Sequence, residues 1–270
     1  MADQPNYIQL HYDDHGGDQG AKGRVARVTI ANARKLNTMS TPLMAEFTAT
    51  FAELARDDSL LAVVLTGEGE KAFVGGANID EMAGLDEHKA RAFITRVHGC
   101  CNAVRQVPVP VIARINGYTL GAGLELAAAC DLRIAVDSAV FGMPEVKLGI
   151  PSVVEAALLP GLIGWGRTRQ ILLLGENFSA AEAEKWGFVE KLVPAADLDA
   201  AVDDWLASLV ECGPVSIRLQ KKLIRDWEDL PLRAAVAAGI DSFATAWKGE
   251  EPRRMMDDFL KAREERRKAK

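Results

Sequence analysis

The stretch VPVIARINGYTLGAGLELAAACDLRIAV, residues 109–136, decides the fold. Residues 109–115 form a short apolar run rich in β-branched side chains, too short for a helix, and read as a buried strand. Asn116-Gly117 is a turn signal, and the Ala- and Leu-rich residues 121–130 then read as a helix. Residues 132–136 return to a strand pattern. Strand, turn, helix and strand in close succession predict an α/β architecture whose strands are buried.

Working outward, the same alternation extends toward the N-terminus. Residues 60–66 are a second buried strand, closed by Gly67. Before it, residues 41–55 carry Leu43, Met44, Phe47, Phe51 and Leu54 at helical spacing, with Pro42 suited to the first turn. Residues 7–12 and 24–30 read as two strands joined by a polar loop that begins Asp13-Asp14-His15-Gly16-Gly17. Beyond residue 150 the pattern is helical, over 153–164, 167–174, 180–186, 198–211, 215–226, 232–247 and 251–270. No Ser/Gly-rich linker separates the halves, so one continuous unit with a helical C-terminal part is expected.

Composition excludes several classes. The chain has 270 residues, 49% hydrophobic and 26% charged, values of an ordinary globular protein rather than a disordered, collagenous or coiled-coil one. Lys+Arg 32 against Asp+Glu 38 gives a net charge of −6, so no global positive field draws nucleic acid or anionic lipid. The longest uncharged apolar stretch, residues 156–166, is interrupted by Pro160 and falls short of the ~18 residues of a membrane span. Met1-Ala2-Asp3-Gln4-Pro5 has neither a basic nor an apolar leader segment, and a cytoplasmic location is expected. Cys100, Cys101, Cys130 and Cys212 show no metal-ligand spacing and are expected to be reduced and mostly packed.

The familiar chemical motifs are absent. Gly121-Ala122-Gly123 opens a helix after a strand, but Leu126 stands where a dinucleotide fingerprint needs its third glycine. There is no phosphate-binding GxxxxGK[ST], no GxSxG, and His11, His15, His88 and His98 form no HExxH. What remains is two backbone turns and two glutamates. Gly75-Gly76-Ala77-Asn78 ends a strand-loop unit in small residues whose amides a ligand can approach closely. Residues 116–123 present amides at a helix start, where unpaired N–H groups and the dipole favour negative charge. Two such turns facing each other would make an oxyanion hole. Glu125 interrupts an otherwise apolar helix, where an acid costs stability unless it serves a purpose. Glu145 follows after Phe141-Gly142-Met143-Pro144, a strand-end and turn pattern.

The strings AFVGGANIDEM (residues 72–82), INGYTLGAGLELAAACDLRIA (115–135) and FGMPEVKLGIP (141–151) closely resemble the crotonase, or enoyl-CoA hydratase/isomerase, family. RKLNTM from Arg34 and MMDDFLKAR from Met255 extend the resemblance over almost the whole chain, in the same order. The resemblance implies a spiral of ββα units over residues 1–200, with residues 201–270 a C-terminal helical region serving trimerisation and site closure, in trimers or dimers of trimers. It implies an acyl-CoA thioester as ligand, with no metal and no redox cofactor. By position, the oxyanion-hole amides are those of Ala77 and Ala122, and the two acids of the hydratases are Glu125 and Glu145. Arg34, Lys35, Leu36, Gly75, Ala77, Asn78, Ile79, Asp80, Gly121 and Ala122 fall at substrate-binding positions. The activity implied is syn hydration of a trans-2-enoyl-CoA in fatty acid metabolism, with Glu125 activating water for C3 and Glu145 giving a proton to C2.

Three departures bear on this expectation. Pro151-Ser152-Val153-Val154-Glu155-Ala156-Ala157-Leu158-Leu159-Pro160 replaces a segment that is Gly-rich in many hydratases, which brings bulk and a third acid, Glu155, toward the acyl pocket. Asn78 stands where Asp is frequent, and Asp80 where Lys often is. The alternatives are a double-bond isomerase using Glu145 as proton shuttle, or a non-catalytic acyl-CoA- or RNA-binding relative. The latter is motivated by the altered segment and by the six basic and two acidic residues of 261–270.

Overall fold

The computed structural model describes residues 6–15 and 23–268. Strands β1 (Ile8–His15) and β2 (Gly23–Ile30) pair antiparallel, Ile8 opposite Ile30 and His15 opposite Gly23. The first strand therefore runs past Tyr12, because the ladder and the Arg27–Asp13 ion pair carry Asp13, Asp14 and His15 into the sheet. Gly16 and Gly17 of the expected loop lie outside the described residues, as do the N-terminal Met1 to Pro5 and the last two residues of the basic tail.

Beyond β2 the large sheet continues with β3 (Leu60–Gly67), β5 (Val111–Ile115), β7 (Leu132–Val136) and β10 (Lys191–Val193), all parallel. Every residue of β3 except Thr66 is buried, which is why its sequence shows a continuous apolar run rather than alternation. A smaller sheet has the order β4 (Ala72–Val74), β6 (Tyr118–Leu120), β8 (Val140–Gly142) and β9 (Asn177–Ser179). Each of β4, β6 and β8 directly follows a strand of the large sheet, so the chain climbs as strand, short strand, helix.

The helices complete these units. Helix α1 (Thr41–Leu54) is capped by the Ser40 hydroxyl and buries Leu43, Met44, Phe47, Phe51 and Leu54 against the large sheet. Helices α2 (Ile79–Met82) and α3 (Glu87–Gln106) follow β4, and α4 (Ala122–Ala129) follows β6. All eight residues of α4 are buried. A Cβ on its Gly123 would stand 2.1 Å from the Val74 carbonyl oxygen, so only glycine lets this helix rest on β4.

After β8 come two 3-10 turns, Glu145–Leu148 and Val154–Leu158, and then α5 (Leu159–Leu174). The expected helices 153–164 and 167–174 are thus divided differently. Pro160 starts α5 rather than sitting inside a helix, and Gly164, at φ +73°, kinks a helix that runs on to Leu174. Then α6 (Ala180–Trp186), α7 (Leu198–Val210), α8 (Pro214–Asp229), α9 (Leu232–Ala246) and α10 (Glu251–Lys268) finish the chain.

The C-terminal helices are tied to the core and to one another by polar contacts. On α8, the Lys221 ammonium donates to the Val109 carbonyl at 2.8 Å and to Asp131 at 2.7 Å. The Glu251 carboxylate accepts from the Val215 and Ser216 N–H groups at the start of α8. Cys100, Cys101 and Cys130 are buried free thiols and Cys212 is an exposed one. Burial pushes the Cys100 and Cys130 thiols up to about 12, which leaves them unreactive. No helix among the described residues is long and apolar enough to cross a membrane.

Candidate active site

The two glutamates singled out by their apolar setting meet at one cavity. Gly121, at φ +51°, turns the chain out of β6 so that α4 can start at Ala122, and this places Glu125 in the first turn of a buried helix. Glu125 is 3% exposed, and its Oε1 accepts the Ala156 N–H at 3.3 Å. Burial foremost, then the charge of Glu145, push the Glu125 carboxyl up to about 8, against the opposing pull of the Ala156 amide. At neutral pH Glu125 therefore retains a proton that an exposed glutamate would have lost.

Glu145 begins the 3-10 turn after β8, with Pro144 preceding it. Its Oε2 accepts from the Ser152 hydroxyl at 2.8 Å. Its Oε1 lies in space that a side chain at position 121 would need, 2.4 Å from an ideal Cβ there.

Two backbone amides face the same space. In the turn after β4, Met39 N–H donates to the Gly76 carbonyl and Asn78 N–H donates to the Met39 carbonyl, which leaves the Ala77 N–H between them unclaimed. Ala122 is the first residue of α4, so its N–H has no acceptor within the helix. Among the described residues neither amide donates to another group.

Ala77, Ala122, Glu125 and Glu145 all line a cavity of about 930 Å³. Gly75, Ile79 and Gly121 of the expected binding set line it as well. The wall from α2, α3 and the loop between them is apolar at Met82, Leu85, Phe93, Ile94 and Val97, and Asp86, Glu87 and Arg91 add charge to it. A carboxylic pair, two free amides and an apolar wall suit a ligand with a polarised carbonyl and a hydrocarbon tail.

The remaining expected residues stand outside the cavity. Leu36 buttresses it from behind, accepting the Gly75 N–H at its carbonyl, 2.8 Å away. Asn78 caps α2 by accepting the Asp80 and Glu81 amides, a role in which Asn and Asp are interchangeable. Lys35 and Asp80 form an exposed ion pair at 3.4 Å, and Arg34 sits in the exposed 3-10 turn Ala33–Lys35. Of the altered segment, Pro151, Ser152 and Val153 reach the cavity but Glu155 does not. Glu155 instead lies buried behind Glu125 and binds His98, with Oε1 2.8 Å from Nδ1. Glu155 thus comes close to the site, as the altered segment suggests, without lining the cavity.

Sequence reasoning passed over Ser152, His98 and the α3 wall. The amphipathic run from Phe93 to Val97 carried the one available signal, apolar residues at helical spacing on an otherwise charged segment.

The chain is similar to known proteins along nearly its whole length. A family model described as enoyl-CoA hydratase/isomerase matches residues 20–270. The short-chain-enoyl-CoA hydratase of Clostridium acetobutylicum is 34% identical over 243 residues, covering 90% of this chain and 93% of that protein. The crotonyl-CoA hydratase of Syntrophomonas wolfei is 30% identical over 241 residues, covering 89% and 93%. The crystal structure of an enoyl-CoA hydratase from Bacillus anthracis superposes with a TM-score of 0.88 at 30% identity, covering 95% of this chain and 97% of that one. The spiral of ββα units, the match over nearly the whole chain and the identity to hydratases from two bacteria lead to one assignment: the chain belongs to the enoyl-CoA hydratase/isomerase family of enzymes.

Proposed function

We propose that the protein hydrates a trans-2-enoyl-CoA to the 3-hydroxyacyl-CoA. The observation that carries this reading is the meeting of Glu125 and Glu145 with the free Ala77 and Ala122 amides at a single cavity. In the proposed complex the thioester carbonyl oxygen accepts both amides, and the partial positive charge at the start of α4 adds to their field. Charge developing on that oxygen as water attacks C3 is thereby stabilised without reorganisation.

Hydration needs a base for the water and an acid for C2 at the same time. Glu125 orients the water and takes its proton, and Glu145, fixed by Ser152, delivers a proton to C2 on the same face. Burial, with the Glu145 charge adding to it, holds a proton on Glu125 in the empty site. Passage of that proton to Glu145 through the bound water gives the reactive arrangement. The site residues need no metal or redox group for these steps.

The C-terminal region supplies assembly in the same proposal. Leu232 at 82%, Ile240 at 67%, Phe243 at 68% and Phe259 at 67% exposure leave α9 and α10 with apolar faces that a trimer, or a dimer of trimers, would cover. Light scattering tests this part, which a monomeric mass overturns.

The activity is tested with crotonyl-CoA, followed as loss of the absorbance of its conjugated thioester. The expected result is turnover that disappears in the Glu125→Gln, Glu145→Gln double variant. Full turnover in that variant overturns the mechanism. Conversion of a 3-enoyl-CoA to its 2-isomer in deuterated water, with no hydration, replaces it by isomerisation.

A further inference from the structure

Behind Glu125, on the side away from the cavity, a third carboxyl is buried. Glu155 is 7% exposed and lies on the 3-10 turn Val154–Leu158, which packs against both α3 and α4. Its Oε1 meets His98 Nδ1 of α3 at 2.8 Å, and its Oε2 is buried with no hydrogen-bond partner. The His98 side chain is 53% exposed, so the pair connects solvent to the back of the site. One residue on, the Ala156 N–H donates to Glu125 Oε1 at 3.3 Å. The turn that carries Glu155 is thus the turn that holds Glu125. Its first residue, Val154, sits at φ +39°, a conformation that a β-branched residue keeps only where its surroundings impose it.

Burying a carboxyl with an unpartnered oxygen beside a second buried carboxyl is costly unless the arrangement serves something. The latch to His98 is the sole ion-pair contact of Glu155, and Glu125 has none, among the described residues. The Glu155 charge acts on the Cys100 and Cys101 thiols of α3 and on Glu125 of α4. Glu125 in turn feels Glu145 from the 3-10 turn after β8.

We propose that His98 and Glu155 are positioning residues for Glu125: their contact clamps the Val154–Leu158 turn so that Ala156 presents its amide to Glu125, and the Glu155 carboxylate adds its charge to the field around Glu125. The inference rests on the proposed role of Glu125 in hydration. The Glu155 charge is one of the influences that raise the Glu125 carboxyl, alongside burial and Glu145, which gives the clamp an electrostatic as well as a geometric effect. Loss of the Glu125 proton at alkaline pH deprives the site of the proton destined for C2, so the alkaline limb of the rate profile reports that field.

Two variants separate the effects. Glu155→Gln keeps the shape and removes the charge, and it is expected to move the alkaline limb of kcat/KM to lower pH by about one unit. His98→Ala releases the clamp, and it is expected to lower kcat on the order of tenfold or more with KM little changed. His98→Asn, whose amide nitrogen occupies the place of Nδ1, is expected to restore kcat. A limb unmoved in Glu155→Gln, or equal losses in His98→Ala and His98→Asn, overturns the proposal. A carbon-13 titration of the Glu125 carboxyl in the ligand-free protein reads the same shift without turnover. If no enoyl-CoA is hydrated but the titration midpoint falls in Glu155→Gln, the functional reading fails and the electrostatic coupling stands. If the midpoint is unchanged, the coupling fails whatever the activity. The exposed position of His98 makes its variants foldable, and a thermal melt of each confirms that the comparison is between folded proteins.

Discussion

Gly121 and Glu145 occupy each other's space: Glu145 Oε1 lies 2.4 Å from where a Cβ on residue 121 would stand. The glycine is needed twice over, because φ is +51° there and because the carboxylate fills the vacancy. Gly121→Ala is therefore expected to displace Glu145 rather than to unfold the protein, since the flexible carboxylate gives way more easily than backbone. The measured outcome should be a fall in kcat of about 10²-fold, the scale of an ångström's misplacement at a reacting group. An unchanged kcat would show that Glu145 does not work from this position.

Glu125 trades stability for function. Its carboxyl is raised from 4.5 to about 8, so between those values the folded chain holds a proton that the unfolded chain has released. Stability is consequently lost as pH rises through that window, and the penalty is complete above pH 8. The shift corresponds to a penalty on the order of several kcal/mol. Glu125→Gln cannot ionise, so its melting temperature should exceed the parent's by more at pH 8.5 than at pH 5, while hydration is lost. Equal differences at both pH values would mean that Glu125 is not held protonated.

Lys221 reaches from α8 into the core and is 5% exposed. Desolvation lowers its pKa against the pull of Asp131, so the ammonium is maintained by that carboxylate and by the Val109 carbonyl. Lys221→Ala leaves Asp131 without its cation and opens space under α8, at a cost of about 3–5 kcal/mol. Lys221→Met with Asp131→Asn removes both charges and fills the volume, and it should recover most of that loss. Urea unfolding midpoints check both, and a negligible effect of Lys221→Ala would detach the C-terminal helices from core stability.

The limits of sequence reading follow from distance along the chain. Strand β3 and helix α4 were legible because burial on all sides writes itself as an unbroken apolar run. Glu125 stood out for the same reason, as a charge in a setting that should exclude one. Strands β4, β6 and β8 have three residues each, too few for any periodicity, and exist through pairing with segments far away in sequence. Helix α3 escaped notice because its outer face is densely charged and Gly99 interrupts it. His98 and Glu155 are 57 residues apart, and nothing local to either reveals the other. The position of Glu155 could be read as lying near the pocket, but its direction depends on the 3-10 geometry of Val154–Leu158, which no residue pattern specifies.

The oxyanion hole permits a test that leaves side chains almost untouched. Ala122 is the first residue of α4, the position at which proline is tolerated because its missing N–H has no helical acceptor. The preceding residue is Gly121, which is least hindered by a following proline ring. Ala122→Pro therefore removes one proposed donor to the thioester oxygen while leaving the helix and both glutamates in place. Loss of a single such donor costs about 10²–10³-fold in kcat. The expected result is a loss of that size with helical content and melting temperature close to the parent's. Retention of full activity would remove Ala122 from the oxyanion hole, and a matching loss in melting temperature would assign the effect to folding. Because Ala77 offers its amide from a turn, where proline would also alter the backbone, Ala122 is the one of the two donors whose chemical contribution this substitution isolates.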